Sequence, residues 1–221
     1  MNKIIEHAKN LKTNHQLIVK SKTEVFYILI IDREVSATSE IILESGAALH
    51  AYYLFLNNKS ELNFKHTINQ DAKIIARSLV LSESELKVRA EYDFVGPASF
   101  GEIKADAVLS GAANLKYEAI LKIRPEAKQS ETRVDLRLYL NSPSAHGQLI
   151  PQLEVAANDV KAGHSASTFK FSNNDLFYLQ SRGLSAAQII ALQLKSLSNI
   201  FVQGLDPETS KLLLGLINQS I

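Results

Sequence analysis

Leu86, Val88, Ala90, Tyr92 and Phe94 alternate with Lys87, Arg89, Glu91 and Asp93, the period of a strand with one face buried and one in water. The same period returns at Leu115, Tyr117, Ala119, Leu121 and Ile123, at Val134, Leu136, Leu138 and Leu140, and less strictly at Leu62, Phe64 and Ile68. Strands are predicted to begin near Leu62, Ile74, Leu86, Ile103, Leu115, Val134 and Leu149, with no helical period between them. The unbroken apolar run Val25 to Ile31 stops at Asp32-Arg33-Glu34. It is far short of the roughly 20 residues that span a bilayer, and reads as a buried strand.

Many short strands at such spacing fit an antiparallel sandwich or barrel, or a solenoid whose strands stack coil upon coil. Asn-Gly and Asp-Gly, the strongest hairpin signals, do not occur, and the corners fall at Ser45-Gly46, Gly96-Pro97, Ser110-Gly111 and Ser142-Pro143. That favours a solenoid slightly, and an irregular one, since no repeat of fixed length emerges. After Phe171 the period changes. Asn173 or Asn174 is expected to cap a short helix that Gly183 ends, and Ser185-Ala186-Ala187-Gln188 is a capping box. It opens a helix whose apolar stripe is predicted along Ile189, Leu192, Ser196 and Ile200, flanked by Leu197 and Phe201. Asp206-Pro207 supplies the cap and first residue of a last helix, with Leu212, Leu213, Leu216 and Ile217 as its apolar side. Asn2 to Lys12 is compatible with a brief helix or a frayed end.

The chain has 221 residues, and its 24 Lys and Arg against 23 Asp and Glu leave a net charge of +1. That balance gives no footprint for nucleic acid or an anionic membrane. Met1 to His7 carries charge where a secretory signal would be apolar, so a cytoplasmic protein is expected. Cysteine is absent, so the chain offers no thiolate nucleophile, disulfide or cysteine-based metal site. It has neither a phosphate-binding glycine loop nor a nucleophile elbow. Glu83, Glu85, Asp93, Glu102 and Asp106 alternate with apolar positions and read as a solvated face. His7, His15, His50, His66 and His146 show no metal spacing and read as surface or half-buried residues.

The most informative stretch runs Asn158-Asp159-Val160-Lys161-Ala162-Gly163-His164-Ser165-Ala166-Ser167, then Asp175-Leu176-Phe177-Tyr178-Leu179-Gln180-Ser181-Arg182-Gly183. It resembles the seam of the SufB/SufD family of iron–sulfur cluster assembly scaffolds, on the SufD side, where A-D-D-V-K-C-S-H-G-A leads into L-F-Y-L-x-S-R-G. Gly111 to Ala127, with Ala119-Ile120-Leu121-Lys122-Ile123-Arg124-Pro125-Glu126-Ala127, is similar to the family's F-x-G-x-I-x-V-x-P-x-A. Gln129-Ser130-Glu131-Thr132 stands where the family has Q-K-T-D, Leu138-Tyr139-Leu140 near its L-L-L, and Pro151 to Val155 matches P-x-L-E-I. The likeness extends from about Gly46 to Gln203, with Asn141 to Gly147 diverging.

The resemblance implies a right-handed parallel β-helix followed by a small C-terminal helical unit, hence a mainly β protein with a core over 1–172 and helices over 173–221. It implies a non-enzymatic SufD-like subunit that pairs with a SufB-like subunit or with itself, and docks a SufC-like ABC-type ATPase. His164 stands in the place of the family's histidine, as a ligand to a nascent iron–sulfur cluster shared with the partner, while Ala162 replaces the family's cysteine. Phe177, Tyr178, Arg182 and Gly183 fall in the segment implied to dock the ATPase, Phe177 being expected to pack inward and Arg182 to face out. Family members are usually longer, so lost N-terminal coils are expected. Two rivals stand beside this reading: a self-associating β-solenoid without a cluster, and a carbohydrate-active β-helix enzyme. The absence of tryptophan and of a convergent carboxylate pair opposes the latter.

Overall fold

The structure, a computed structural model, describes residues 2–8, 14–56 and 59–220. They form β1 (Asn2–His7), β2 (Asn14–Val19), β3 (Glu24–Ile31), β4 (Val35–Leu43), β5 (Ala48–Leu56), β6 (Ser60–Ile68) and β7 (Lys73–Ser82). There follow β8 (Glu85–Phe94), β9 (Phe100–Leu109), β10 (Asn114–Ile123), β11 (Glu131–Leu140), β12 (His146–Val155) and β13 (Lys161–Phe169), then helices α1 (Asn173–Ser181), α2 (Ala186–Phe201) and α3 (Pro207–Gln219). The odd-numbered strands make one sheet in the order β1-β3-β5-β7-β9-β11-β13, the even-numbered ones a second in the order β12-β10-β8-β6-β4-β2. Each coil gives one strand to each sheet, and neighbouring strands run parallel, as between β5 and β7 or β8 and β10. The molecule is a flattened parallel β-solenoid, the second of the two architectures the period allowed. Its coil lengthens along the chain, Glu24 lying beside Ala48 but Asn114 beside His146, which is why no fixed repeat shows in the sequence.

The two sheets enclose the main core. Leu86, Val88, Ala90, Tyr92 and Phe94 are all buried there, as are Leu115, Tyr117, Ala119, Leu121 and Ile123. Corners stack as well as strands. Gly46, Asp71, Ala98 and Gln129 have φ between 55° and 71°, and the first three each donate an N–H to the turn of the following coil, to Gln70, Pro97 and Lys128 carbonyls. The expected corner at Ser45-Gly46 belongs to this column. Ala98, beside the expected corner at Gly96-Pro97, and Gln129 have no intrinsic preference for this conformation, and hydrogen bonds to the neighbouring coil rather than local propensity hold them left-handed.

A second apolar layer covers the outer face of the odd-numbered sheet. Phe26, Ile28, Ile30, Tyr52, Leu54, Leu79 and Val108 face outward and pack against Leu194, Leu197, Phe201, Leu213 and Ile217. This is why Val25 to Ile31 has no polar alternation: β3 is buried on both faces. Arg77 donates from Nη1 to the Ile200 and Gln203 carbonyls at 2.9 and 3.0 Å, and the Tyr52 hydroxyl donates to Gln203 at 2.9 Å. These bonds satisfy carbonyls that the end of α2 leaves free, with a cation at its negative pole.

Several expectations are corrected. Asn2 to His7 is a strand paired with β3, and the rest of that expectation, residues 9–12, lies outside the described residues. Ser172, not Asn173 or Asn174, caps α1, through a capping box with Asp175. In α2 the buried residues are Ile189, Leu194, Leu197, Ser198 and Phe201, while Leu192 is 53% exposed, so the stripe lies on the face first taken as its flank. In α3, Leu213 and Ile217 are buried but Leu212 is exposed. Asp106 is not solvated. It lies in register with Leu79 at the margin of the helical cover, where burial raises its carboxyl pKa against the pull of Arg137, whose Nε stands 2.7 Å away. His66 is buried rather than superficial. The capping box at Ser185 and the cap at Asp206 are as expected.

Candidate functional site at the open end of the solenoid

β13 pairs with β11 alone, and β12 with β10 alone, so each ends its sheet among the described residues. In a parallel sheet, residues in register share a face. His164 lies beside Val134, and Ala162 and Ala166 beside Thr132 and Leu136, all three partners buried. His164 therefore continues an interior column (Ala76, Ile103, Val134) out into the open mouth of the last coil, where it is exposed. Across that mouth stand Leu149 and Leu153 of β12, in register with Tyr117 and Leu121. Small neighbours at Ala162 and Ala166 leave the imidazole room on either side. The other face of the strand is tied down: Ser165 Oγ donates to Asp135 Oδ1 at 2.6 Å, and Arg133 Nε to the same carboxylate at 2.9 Å. Burial raises the Asp135 pKa, but bonds from Arg133 and Ser165 outweigh it and hold the carboxyl below its usual range.

The two ends of the odd-numbered sheet differ in kind. At the first, Glu6 of β1 lies in register with the core residue Leu29, and its carboxylate takes contacts from His15 Nε2 at 3.2 Å and the Tyr27 hydroxyl at 2.8 Å. An inward-pointing charge on an edge strand is a device against further pairing. At the other end, Ala162 to Phe169 carries no carboxylate, Lys or Arg, so a row of unpaired backbone groups lies open beside His164.

The helical unit adds a second surface. No residue of α1 is buried. Phe177 is 75% and Tyr178 63% exposed, which corrects the expectation that Phe177 packs inward, and Arg182 and Gly183 are exposed beside them. Between α1 and the sheet runs a groove of about 470 Å³ lined by Tyr139, Phe169, Phe171, Tyr178 and Leu179, in which the Tyr139 and Phe169 rings stack at 5.1 Å. Neither Tyr139 nor Phe169 was marked as a surface residue by the sequence, because alternation marks which residues face outward but not which outward faces lie uncovered.

The described residues hold no group of three or more His, Asp or Glu placed to bind a metal ion, so His164 could act only as one ligand of a set completed from elsewhere. Asp93, Glu102 and Asp106 are each ion-paired, with Arg124, Lys104 and Arg137. No helix among the described residues is long and apolar enough to cross a membrane.

A parallel β-solenoid carrying a histidine on the free edge strand of its open end, with helices folded back along one face, defines the class. The family model described as the SufBD core domain of the SUF system for FeS cluster assembly matches residues 69–195, and the chain belongs to that family. An iron–sulfur cluster assembly SufBD family protein of Archaeoglobus fulgidus is 26% identical over 176 residues, 78% of this chain and 47% of its own. The iron–sulfur cluster assembly protein SufD of Bacillus subtilis is 34% identical over 89 residues, 40% of this chain and 20% of its own. A SufBD family protein of Mycobacterium tuberculosis is 28% identical over 98 residues, 44% of this chain and 12% of its own. The matched segment thus spans less than half the length of each of these relatives.

Proposed function

We propose that this chain is a cytoplasmic, SufD-like, non-enzymatic scaffold subunit in iron–sulfur cluster assembly. Its β12–β13 end pairs with a SufB-like subunit, and α1 with the adjoining groove docks a SufC-like ABC-type ATPase. His164 supplies an imidazole to a nascent cluster whose thiolates come from the partner, since this chain has none. The observation that carries the reading is the position of His164: an interior register site that opens into solvent on a free, uncharged strand edge, where a docking strand would cover it. An imidazole covered in that way could ligate iron through one ring nitrogen while the other is oriented by a hydrogen bond. The apolar rings exposed on α1 support the docking role, because exposed aromatics of this kind are the usual anchors of a protein interface.

The test is co-expression with the SufB-like and ATPase chains of the same organism, then anaerobic reconstitution. His164→Ala should keep the heterodimer and lose bound iron and sulfide, whereas Ala166→Lys, which puts a charge in the mouth, should lose the heterodimer itself. Phe177→Ser with Tyr178→Ser should release the ATPase and leave the pair intact. Equal iron and sulfide in wild type and His164→Ala would remove the ligand role.

A further inference from the structure

The interior of the solenoid holds rings whose polar atoms packing alone does not require. Tyr27, Tyr53, His66 and Tyr92 are at most 2% exposed, yet the histidine and two of the phenols have fixed hydrogen-bond partners. His66 Nδ1 stands 3.1 Å from the Glu91 carbonyl. A carbonyl only accepts, so Nδ1 carries the hydrogen and Nε2 keeps its lone pair. The Tyr53 hydroxyl, 2.8 Å from Nε2, is therefore the donor in that bond. Tyr27 likewise donates to Glu6 at 2.8 Å. The rings are in sequence: Tyr92 stacks on His66 at 4.4 Å, Tyr53 meets His66 at 6.1 Å and Tyr27 at 6.3 Å, and Tyr27 meets His15 at 6.1 Å. His15 lies at the first mouth of the solenoid, its side chain 16% exposed.

We propose that this column is a one-electron redox path, in which Tyr53 gives up an electron and, in the same step, its phenolic proton to His66 Nε2. A strong one-electron oxidant, such as a metal-centred or peroxide-derived radical species, takes the electron and is reduced by one unit. Tyr53 becomes a neutral tyrosyl radical, and His66 an imidazolium whose two N–H groups face the Tyr53 oxygen and the Glu91 carbonyl. Without the acceptor, oxidation would leave a charged phenol radical in a dry interior, which is costly; the hydrogen bond lowers that cost by moving the proton to the more basic imidazole nitrogen, so that the charge rests on His66 beside the Glu91 carbonyl. Tyr27 then returns an electron to Tyr53, which takes its proton back from His66, while the Tyr27 proton passes to Glu6. The hole thus reaches the first mouth, where a soluble thiol or ascorbate-type reductant can fill it. None of this depends on cluster binding.

The test uses the full chain with Tyr139→Phe and Tyr178→Phe, which removes the two phenols nearest solvent, and a ruthenium polypyridyl complex flash-oxidised with an irreversible quencher. Paramagnetic resonance and transient absorption should detect a neutral tyrosyl radical, formed more slowly after equilibration in D2O. Tyr53→Phe should lower its yield severalfold. His66→Gln, which keeps both hydrogen bonds but cannot take a proton, should slow its formation severalfold and abolish the deuterium effect. Circular dichroism checks that each variant is folded. Unchanged yield in folded Tyr53→Phe overturns the proposal, and so does formation at the same rate in H2O and D2O, a measurement that needs neither Tyr53→Phe nor His66→Gln.

Discussion

A Cβ added at Gly96 would stand 2.1 Å from the amide nitrogen of Gln70 and 2.6 Å from its Cα, backbone atoms that cannot turn aside. Gly96→Ala must displace a neighbouring coil, and should cost about 3 kcal/mol or more, read as a lower urea midpoint at unchanged slope. Ala98, two residues on, presents the opposite case. Its φ of 55° is imposed by the corner column, so Ala98→Gly should gain about 1 kcal/mol in the same measurement. His66 ties stability to pH. Burial lowers its pKa to about 4, against a hydrogen bond to Glu91 that raises it, whereas the unfolded chain protonates near 6.5. The folded state binds fewer protons between these values. Its contribution is complete above pH ~6.5 and is lost as pH falls towards 4, at up to about 1.4 kcal/mol per pH unit. Thermal melts of His66→Gln should lack that part of the acid sensitivity of the wild type. The sequence showed His66 as one of the apolar-side positions of a strand, but a half-buried reading was the natural one, since nothing local reveals that Tyr53 and Tyr92 enclose it.

The helices show how local and non-local signals divide. Ser185 and Gln188 cap one another across a single turn, an arrangement complete within four residues and so readable from them. Which side of α2 is buried is a different matter. Ile189, Leu192, Ile200 and Leu197 are all apolar, and the choice between Leu192 and Leu194 was made by the outer face of β3, β5 and β7. That face also decides the fate of a truncated chain. Removing residues 184–221 would uncover Phe26, Ile28, Tyr52, Leu54 and Leu79 together, a contiguous apolar patch of the kind that drives association. The truncated chain should aggregate or lose its cooperative unfolding, checked by light scattering and circular dichroism against the full chain.

Across the whole molecule, the two ends of the odd-numbered sheet set where a partner can add. Glu6 points into one mouth, and a strand stacking over it would have to bury that charge with whatever His15 and Tyr27 do not satisfy. The β13 edge asks for no such desolvation. Association there is predicted to change little between low and high salt, because no charged residue of β13 beyond Lys161 stands at the mouth; a steep salt dependence of the dissociation constant would point to another face. The register that makes this argument runs through the seven strands of that sheet, and no one coil contains it.

What the sequence determined by itself is what its own periods encode: the strands from Leu62 to Val155, the capping box at Ser185, the cap at Asp206 and the order of motifs that joins the chain to the SufBD family. Alternation and capping are interactions of residues a few places apart, so they survive in a single chain without any partner surface. Parallel pairing of alternate strands was left open by the periods and implied only by the family resemblance, and the structure bears it out; the tertiary structure alone decided that β3 is buried on both faces, that Phe177 stays outside and that His164 stands in an open mouth. Each of these depends on which surfaces meet across a coil of varying length. Burial is a property of the meeting surfaces, and the residues on one of them cannot specify it alone.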